Sequence, residues 1–476
     1  MLTPPTTPTT NDFLAEMTWR GLIHQTTGQE ALAAHLAARP RKGYVGFDPT
    51  APSLTIGNLV GILALVRFAK AGHTPVVVVG GATGLIGDPS GKEKERELNT
   101  PQTVAANVEG QRRIFDAVWA NAGLGTPTIR NNYDWFKDIT FLQALRDIGK
   151  HFSVNMMIQK ESVKERLTNR DQGISYTEFS YMLLQAYDFK HLWAAEGVTL
   201  QMGGSDQFGN IVCGGDLIRR ADASIAQSHL AEDEIVARLA KIGFENTPEK
   251  RDLERQIESI HAARLERMPH GLTWPLVTKA DGGKFGKTES GAVWLTADRT
   301  SPYAFYQFWL NTADADLPRF LRTFTLLPRE EIEALEAAHA ANPGAREAHR
   351  ALARHLTALL HGNAQADLAE HAAKALFSGD VASLPLDTLE HVMAGVPSST
   401  HDKAALHAGV PLAEFLVTTA LAASKREARE FLTNGSVLVN GRKAAPDDTL
   451  TTASLLHGSL TAIRRGKKNW HLARWS

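Results

Sequence analysis

The sequence predicts an α/β chain with a helical extension and a small α+β end, and three observations carry that prediction. From Gly43 to about Asp216, short β-rich runs alternate with helical patterns, which is how a parallel sheet with crossover helices reads. After Thr300 the strand signal stops, and Pro302 to Phe377 is Ala/Leu/His/Arg-rich at helical spacing. From Pro411 to Trp475 a compact unit combines a basic helical stretch with turn-strand-turn patterns.

Residues 1–11 are rich in Thr and Pro and read as a flexible tail without a secretory or organellar signal. The first strand is expected at Tyr44 to Phe47. Asp48-Pro49-Thr50-Ala51-Pro52-Ser53 breaks it, and Leu54 to Ala71 follows as a helix with Ser53 as its N-cap. Val76 to Val79 reads as a strand buried on both faces, closed by the glycine-rich turn Gly80-Gly81-Ala82-Thr83-Gly84. Arg219 to Gly271, dense in Glu, Arg and Ala, reads as one or two exposed helices. The helical region breaks at Asn342-Pro343-Gly344, and Leu384 to Val410 reads as a loosely structured connector.

At 476 residues the chain is long enough for several domains with real cores. Its 51 Lys+Arg nearly cancel 52 Asp+Glu, so overall charge selects no partner and a nucleic-acid footprint must be local. The single cysteine, Cys213, excludes an intrachain disulfide and a cysteine metal cluster, and fits a reducing compartment, the cytoplasm. The best apolar run, Pro75 to Val79, is far too short to cross a bilayer.

Four segments carry candidate chemistry. Asp48 to Asn58 lies at a strand-to-helix junction, where small residues admit close approach and helix N–H groups favour phosphate; a plain buried turn reads the same way. Lys284-Phe285-Gly286-Lys287-Thr288 places two lysines around a glycine. They suit the charge that builds on a leaving polyphosphate, although a solvated basic loop has the same composition. Leu200 to Asn210 ends a strand in paired glycines and polar side chains suited to ribose and substrate hydrogen bonds. Tyr181, Gln185 and Asp188, at i, i+4 and i+7, share one helix face among Phe179, Met182, Leu183 and Leu184, where a polar small molecule would supply partners.

Taken in order, these segments resemble the bacterial-type tyrosyl-tRNA synthetases of class I over nearly the whole chain. Tyr44 to Ala51 with Thr55-Ile56-Gly57-Asn58 is similar to that family's HIGH region, and Lys284 to Thr288 to the KFGKT form of the second class I signature. Gly80 to Lys92, the Tyr181/Gln185/Asp188 helix and Gly203-Gly204-Ser205-Asp206-Gln207 resemble this family in particular. The resemblance implies a Rossmann-like parallel-sheet catalytic domain at 12–300, with the helical insertion at about 221–271. It further implies an α-helical anticodon-binding domain at 301–395, a linker at 396–410 and an α+β RNA-binding domain like ribosomal protein S-four at 411–476.

The implied reaction is activation of tyrosine by ATP, with Mg2+ arriving on the nucleotide and no tightly bound cofactor or dedicated metal ligand, followed by transfer to tRNA. Tyr44 and Asp188 would meet the substrate phenol. Tyr181, Gln185 and Asp88 would hold the ammonium, and Gln207 the carboxyl end. Gly46, Asp48, Thr55, Gly57, Asn58, Gly204, Asp206 and Lys287 would contact ATP. Thr50, Lys92, Arg96, Lys284, Lys287 and Thr288 would stabilise the departing pyrophosphate.

Arg219, Arg220, Lys425, Arg426, Arg429, Lys467 and Lys468 would contact tRNA, and a homodimer is implied, for which Phe141, Leu142, Leu145, Ile148 and Phe152 offer an apolar patch or, equally, internal core. Thr55 departs from the family's usual histidine, and the stretch between Asn210 and Lys284 is longer than the pattern leads one to expect. A tryptophan-activating relative conflicts with Tyr44 and Asp188 together; an RNA-binding factor built on an inactive synthetase fits Thr55 and the insertion.

Overall fold

Four consecutive valines, Val76–Val79, are all buried because their strand lies inside a sheet covered on both faces. The computed structural model describes the chain apart from residues 1–11, 88–98, 161–162, 165–166, 168–173, 243–246, 281, 283–284, 289–290, 395 and 467–468. The expected tail therefore lies outside the described residues, as do Asp88, Lys92, Arg96, Lys284, Lys467 and Lys468. Two compact units are present: residues 1–296 with 315–334, and residues 297–314 with 335–476.

The first unit is built on strands β1 (Gln25–Thr26), β2 (Lys42–Phe47), β3 (Thr74–Val79), β4 (Thr128–Asn131), β5 (Val198–Gly204) and β6 (His270–Trp274), in spatial order β1-β6-β5-β2-β3-β4. All neighbours pair in parallel except β1, an antiparallel edge strand on β6. On one face Tyr44, Val76, Val78 and Val198 pack with Phe189, Leu192 and Trp193 of the helix Tyr176–Glu196 and with Ile218. The helix Leu59–Lys70 is buried almost all round, its Gly61 lying within 3.4 Å of Val45 and Phe47 for an added Cβ. Each buried valine or leucine is worth roughly 1.5–3 kcal/mol relative to exposure.

That helix starts later than expected. Ser53 does not cap it; its hydroxyl accepts from Thr296 N at 3.2 Å, and a short 3-10 turn, Ile56–Asn58, intervenes. The Glu/Arg-rich region is a pair of helices, Ala223–Ile242 and Pro248–Arg267, in mutual contact. Among the described residues no helix is long and apolar enough to cross a membrane.

Residues 315–334 belong to the first unit, beyond the boundary expected near residue 300. The helix Leu317–Phe324 ends in carbonyls that need donors. Arg20 donates to the carbonyls of Arg322 (2.7 Å), Thr325 (2.9 Å) and Leu327 (2.8 Å), and Arg67 to those of Thr323 (2.7 Å) and Thr325 (3.0 Å). Those bonds tie it back to the sheet domain.

In the second unit, the helices Pro302–Leu310, Glu347–His361 and Asn363–Ser378 precede a sheet of order β12-β11-β14-β15-β9, formed by β9 (Ser398–His401), β11 (Val437–Val439), β12 (Arg442–Lys443), β14 (Leu460–Arg465) and β15 (Asn469–Trp475), with β10 (Val410–Pro411) paired to β13 (Thr449–Leu450) beside it. The helical chain does break where expected, at Pro343–Ala345. The expected linker, however, is structured. Ser398–His401 adds a parallel edge to β15, and Leu406 is buried. Its residues read as a connector because an edge strand exposed on alternate positions carries Ser and Thr rather than apolar residues. Nor do the helical block and the terminal module have separate cores, since Ala372, Ala375, Val381 and Leu389 pack with Leu460, Ala462 and Leu472.

Candidate active site

Ligands of open parallel sheets bind outside the carboxyl ends of the strands, and there a cavity of about 300 Å³ opens. It is lined by Tyr44, Gly46, Asp48, Thr50, Gly57, Asn58, Tyr181, Gln185, Asp188, Gly204, Asp206 and Gln207, which brings together three of the four predicted segments; Phe285 and Gly286 of the fourth are not among the lining residues.

One end is buried and preorganised. Asp188, 5% exposed, accepts from Trp135 Nε1 at 2.9 Å and Asn132 Nδ2 at 3.1 Å. Burial raises its carboxyl pKa to about 7; those two hydrogen bonds oppose the rise and the Asp48 charge adds to it. Beside it the Tyr44 hydroxyl is buried without a hydrogen-bond partner among the described residues, its pKa pushed up by burial and then by Asp188. Gln201 Oε1 is likewise buried and unpartnered. Such groups cost stability until a ligand satisfies them, which makes this end receptive to one polar group entering an apolar setting.

The middle is a chain of side-chain hydrogen bonds. Tyr181 Oη donates to Asp48 Oδ2 at 2.9 Å and Thr83 Oγ1 to Asp48 Oδ1 at 2.8 Å. Gln185 Nε2 donates to Gln207 Oε1 at 3.2 Å, Asn210 Nδ2 to Gln185 Oε1 at 2.9 Å, and Gln207 Nε2 to Asp206 Oδ2 at 3.1 Å. Gly80 is obligatory here, because a Cβ would fall 2.3 Å from both Asp48 Oδ1 and Thr83 Oγ1. The loop after β2 is held from outside by Asn107, whose Nδ2 donates to Pro49 O at 2.9 Å.

At the open end lies Thr50, exposed on the loop after β2. The second signature comes back to the first: Ile56 N donates to Val293 O and Val293 N to Gly286 O, both at 3.1 Å, and Leu295 N to Leu54 O at 2.9 Å. Lys287 and Thr288 form β7 (Lys287–Thr288), paired with β8 (Gly291–Ala292). Phe285 stacks on Phe324 with centroids 5.1 Å apart and meets Phe320 edge-on, while Asp316 Oδ1 accepts from Ala280 N at 2.9 Å. The returning helix thus braces the signature loop.

Thr55 is not among the residues that line the cavity; its hydroxyl donates to Asn58 Oδ1 at 3.1 Å, and its backbone bridges Trp294. Asn132 and Trp135 were not anticipated, and Thr83 and Gln201 lay inside quoted segments without being singled out. Asn131-Asn132 at the carboxyl end of β4, followed by Trp135, was the available signal.

The described residues among the predicted tRNA contacts do not line this cavity. Arg219 and Arg220 are exposed at the end of the helix Phe208–Ala221, Arg219 paired with Asp216 at 2.6 Å and Arg220 donating to His151 O at 2.8 Å. Lys425, Arg426 and Arg429 are exposed on the helix Lys425–Thr433. Of the apolar patch, Phe141, Leu142 and Leu145 are exposed, whereas Ile148 and Phe152 pack inward with Ala186, Cys213 and Leu217.

Residues 36–378 match the family profile of class I tRNA synthetases (W and Y), and residues 388–473 that of the tyrosine–tRNA ligase SYY-like C-terminal domain. The chain is 46% identical over 470 residues to the tyrosine–tRNA ligase of Bacillus caldotenax, covering 98% of this chain and all of that one. It is 47% identical over 458 residues to the one of Dechloromonas aromatica, covering 96% and 97%. Among solved structures, a C-terminally truncated mitochondrial tyrosyl-tRNA synthetase of Aspergillus nidulans superposes with a TM-score of 0.62 at 29% identity, covering 77% of this chain and 94% of that one.

Proposed function

The chain belongs to the class I tyrosine–tRNA ligases, and from that premise we propose how its residues divide the work of activating tyrosine with ATP and passing it to tRNA. The observation that carries the reading is the buried Tyr44 hydroxyl without a partner beside the Asp188 carboxylate. A tyrosine ring entering this end donates its phenolic proton to Asp188 and accepts from Tyr44, satisfying both. Tyr181, whose own proton is directed to Asp48, and Gln185 accept from the substrate ammonium, with Asp88 as their partner in the same task. Gln207 faces the carboxyl end.

The tyrosine carboxylate attacks the α-phosphorus of ATP in line, forming tyrosyl-adenylate and releasing pyrophosphate; no protein nucleophile takes part. Gly46, Gly204 and Asp206 receive the ribose, and Asp48, Gly57 and Asn58 the rest of the nucleotide, Thr55 acting through Asn58. Thr50, Lys92, Arg96, Lys284, Lys287 and Thr288 stabilise charge on the leaving pyrophosphate. Asp48, Asp188 and Asp206 each accept a hydrogen bond from the chain, which fits magnesium held by phosphate oxygens rather than by a protein cage.

In the second step the terminal adenosine hydroxyl of tRNA takes the tyrosyl group and AMP leaves. Arg219 and Arg220 lie against the acceptor end in this reading, and Lys425, Arg426, Arg429, Lys467 and Lys468 supply phosphate contacts from the terminal module. The helices of 301–395 read the anticodon, the exposed Phe141, Leu142 and Leu145 support a homodimer contact, and the lone, buried, free Cys213 suits the cytoplasm. ATP–pyrophosphate exchange tests the assignment: exchange should depend on tyrosine and be far weaker with tryptophan or phenylalanine. RNA binding without tyrosine-dependent exchange would overturn it.

A further inference from the structure

We propose that Asp314, His339 and His349, none of which lines the tyrosine cavity, form a clasp for a zinc-class transition-metal ion in the second unit. The three donors come from three separate elements: the turn after the helix Pro302–Leu310, the last turn of the helix Arg329–Ala341, and the start of the helix Glu347–His361. Asp314 Oδ1 lies 3.3 Å from His349 Nε2 and 3.8 Å from His339 Nε2, and the candidate ligand atoms all fall within 4.8 Å of one another. Tetrahedral zinc with bonds of about 2.0–2.1 Å sets its ligand atoms roughly 3.3 Å apart, so only small side-chain movements separate this arrangement from coordination.

The chemistry of the donors points the same way. Both imidazoles are withdrawn from solvent, with side chains 0% exposed for His349 and 9% for His339, while the Asp314 carboxylate, 61% exposed, leaves a path open to solvent. Burial, then the Arg346 charge, lowers the pKa of His349. Two imidazoles and one carboxylate are a donor set that zinc accepts, with water completing the shell. Thr312 O is the hydrogen-bond partner of His349 Nε2 at 3.1 Å, a bond that coordination through Nε2 would replace.

Coordination through His349 Nε2 moves the ring proton to Nδ1, which is buried and has no partner among the described residues. That penalty makes the ion exchangeable, with affinity weaker than a closed four-ligand structural site. The occupied clasp would fasten the turn after one helix to the junction of the next two.

The test uses the full chain, stripped with chelator and titrated with Zn2+ against a chromophoric competitor and with Co2+ by visible absorption. One ion per chain is expected, with intense tetrahedral cobalt bands and a higher melting temperature at saturating zinc. The chain's 18 histidines offer adventitious sites, so the variants decide. Asp314→Ala and His339→Gln should each weaken zinc binding at least about tenfold and abolish the thermal shift, while tyrosine-dependent pyrophosphate exchange persists. No stoichiometric binding, or unchanged affinity in both variants, would overturn the proposal.

Discussion

The two ends of the cavity are built on opposite plans. Around Asp188 the carboxylate is fixed before a ligand arrives: two donors hold it, Asn132 is held in turn through Ala82 N at 2.7 Å, and Asp188 itself is buried. Around Thr50 and Gly57 the residues are exposed, and the second signature is attached through backbone bonds and the stacking of Phe285. Rigid, desolvated groups reward one shape and one hydrogen-bond pattern, which is what choosing an amino acid demands. An open end braced by an aromatic contact suits charge that develops only as a bond breaks.

The contrast breaks most visibly at Lys287. Lys287→Ala should lower the rate of adenylate formation by roughly 10²–10³-fold with little change in tyrosine binding, measured by single-turnover kinetics beside equilibrium binding. A dissociation constant that moved as far as the rate would erase the difference between the ends. Asp188→Asn is the converse. Losing a hydrogen bond to a charged group, about 1.5–3 kcal/mol, should cut kcat/KM for tyrosine by roughly 10–100-fold and narrow its advantage over phenylalanine in exchange assays. An unchanged ratio would mean that selectivity lives elsewhere.

Phe285→Ala sharpens the comparison, because it loosens the open end without touching either substrate. A fall in kcat of about tenfold at constant tyrosine affinity is expected. Tyr44→Phe removes a buried, unpartnered hydroxyl, so the ligand-free protein should gain on the order of 1 kcal/mol in stability, read by denaturant unfolding, while tyrosine affinity falls.

The smallest effect is in pH. The fold raises the Asp188 pKa from 3.8 to about 7, so the folded state binds the proton more tightly and ionisation costs stability. That contribution is full at low pH and is lost as pH rises from about 4 through about 7. The stability difference between wild type and Asp188→Asn should therefore shift in favour of the variant over that range, as calorimetry at several pH values would show. Tyrosine affinity should rise through the same interval.

Much of this was legible in the sequence because periodicity is strong where packing is strong. Tyr181, Gln185 and Asp188 announced one helix face, and the valine run announced an interior strand. Asn132 and Trp135 escaped because β4 is short and an asparagine pair beyond a strand looks like any turn; nothing local says that its amide reaches Asp188. Ser53 looked like the helix cap because capping preference is local, whereas the partner that engages it, Thr296, lies far along the chain. The connector was misread for a related reason, since the bonds of Ser398–His401 to β15 depend on distant chain.

The return of residues 315–334 has a consequence for synthesis. Arg20 and Arg67 are translated long before the carbonyls that receive them, so the nascent sheet domain emerges with two guanidinium groups destined for burial whose carbonyl acceptors are not yet made, Arg20 having only Glu16 beside it. Until the ribosome has passed Leu327, that domain lacks its final clasp. A fragment cut near residue 300 would keep this unfinished state permanently, and a stable catalytic fragment has to extend through residue 334.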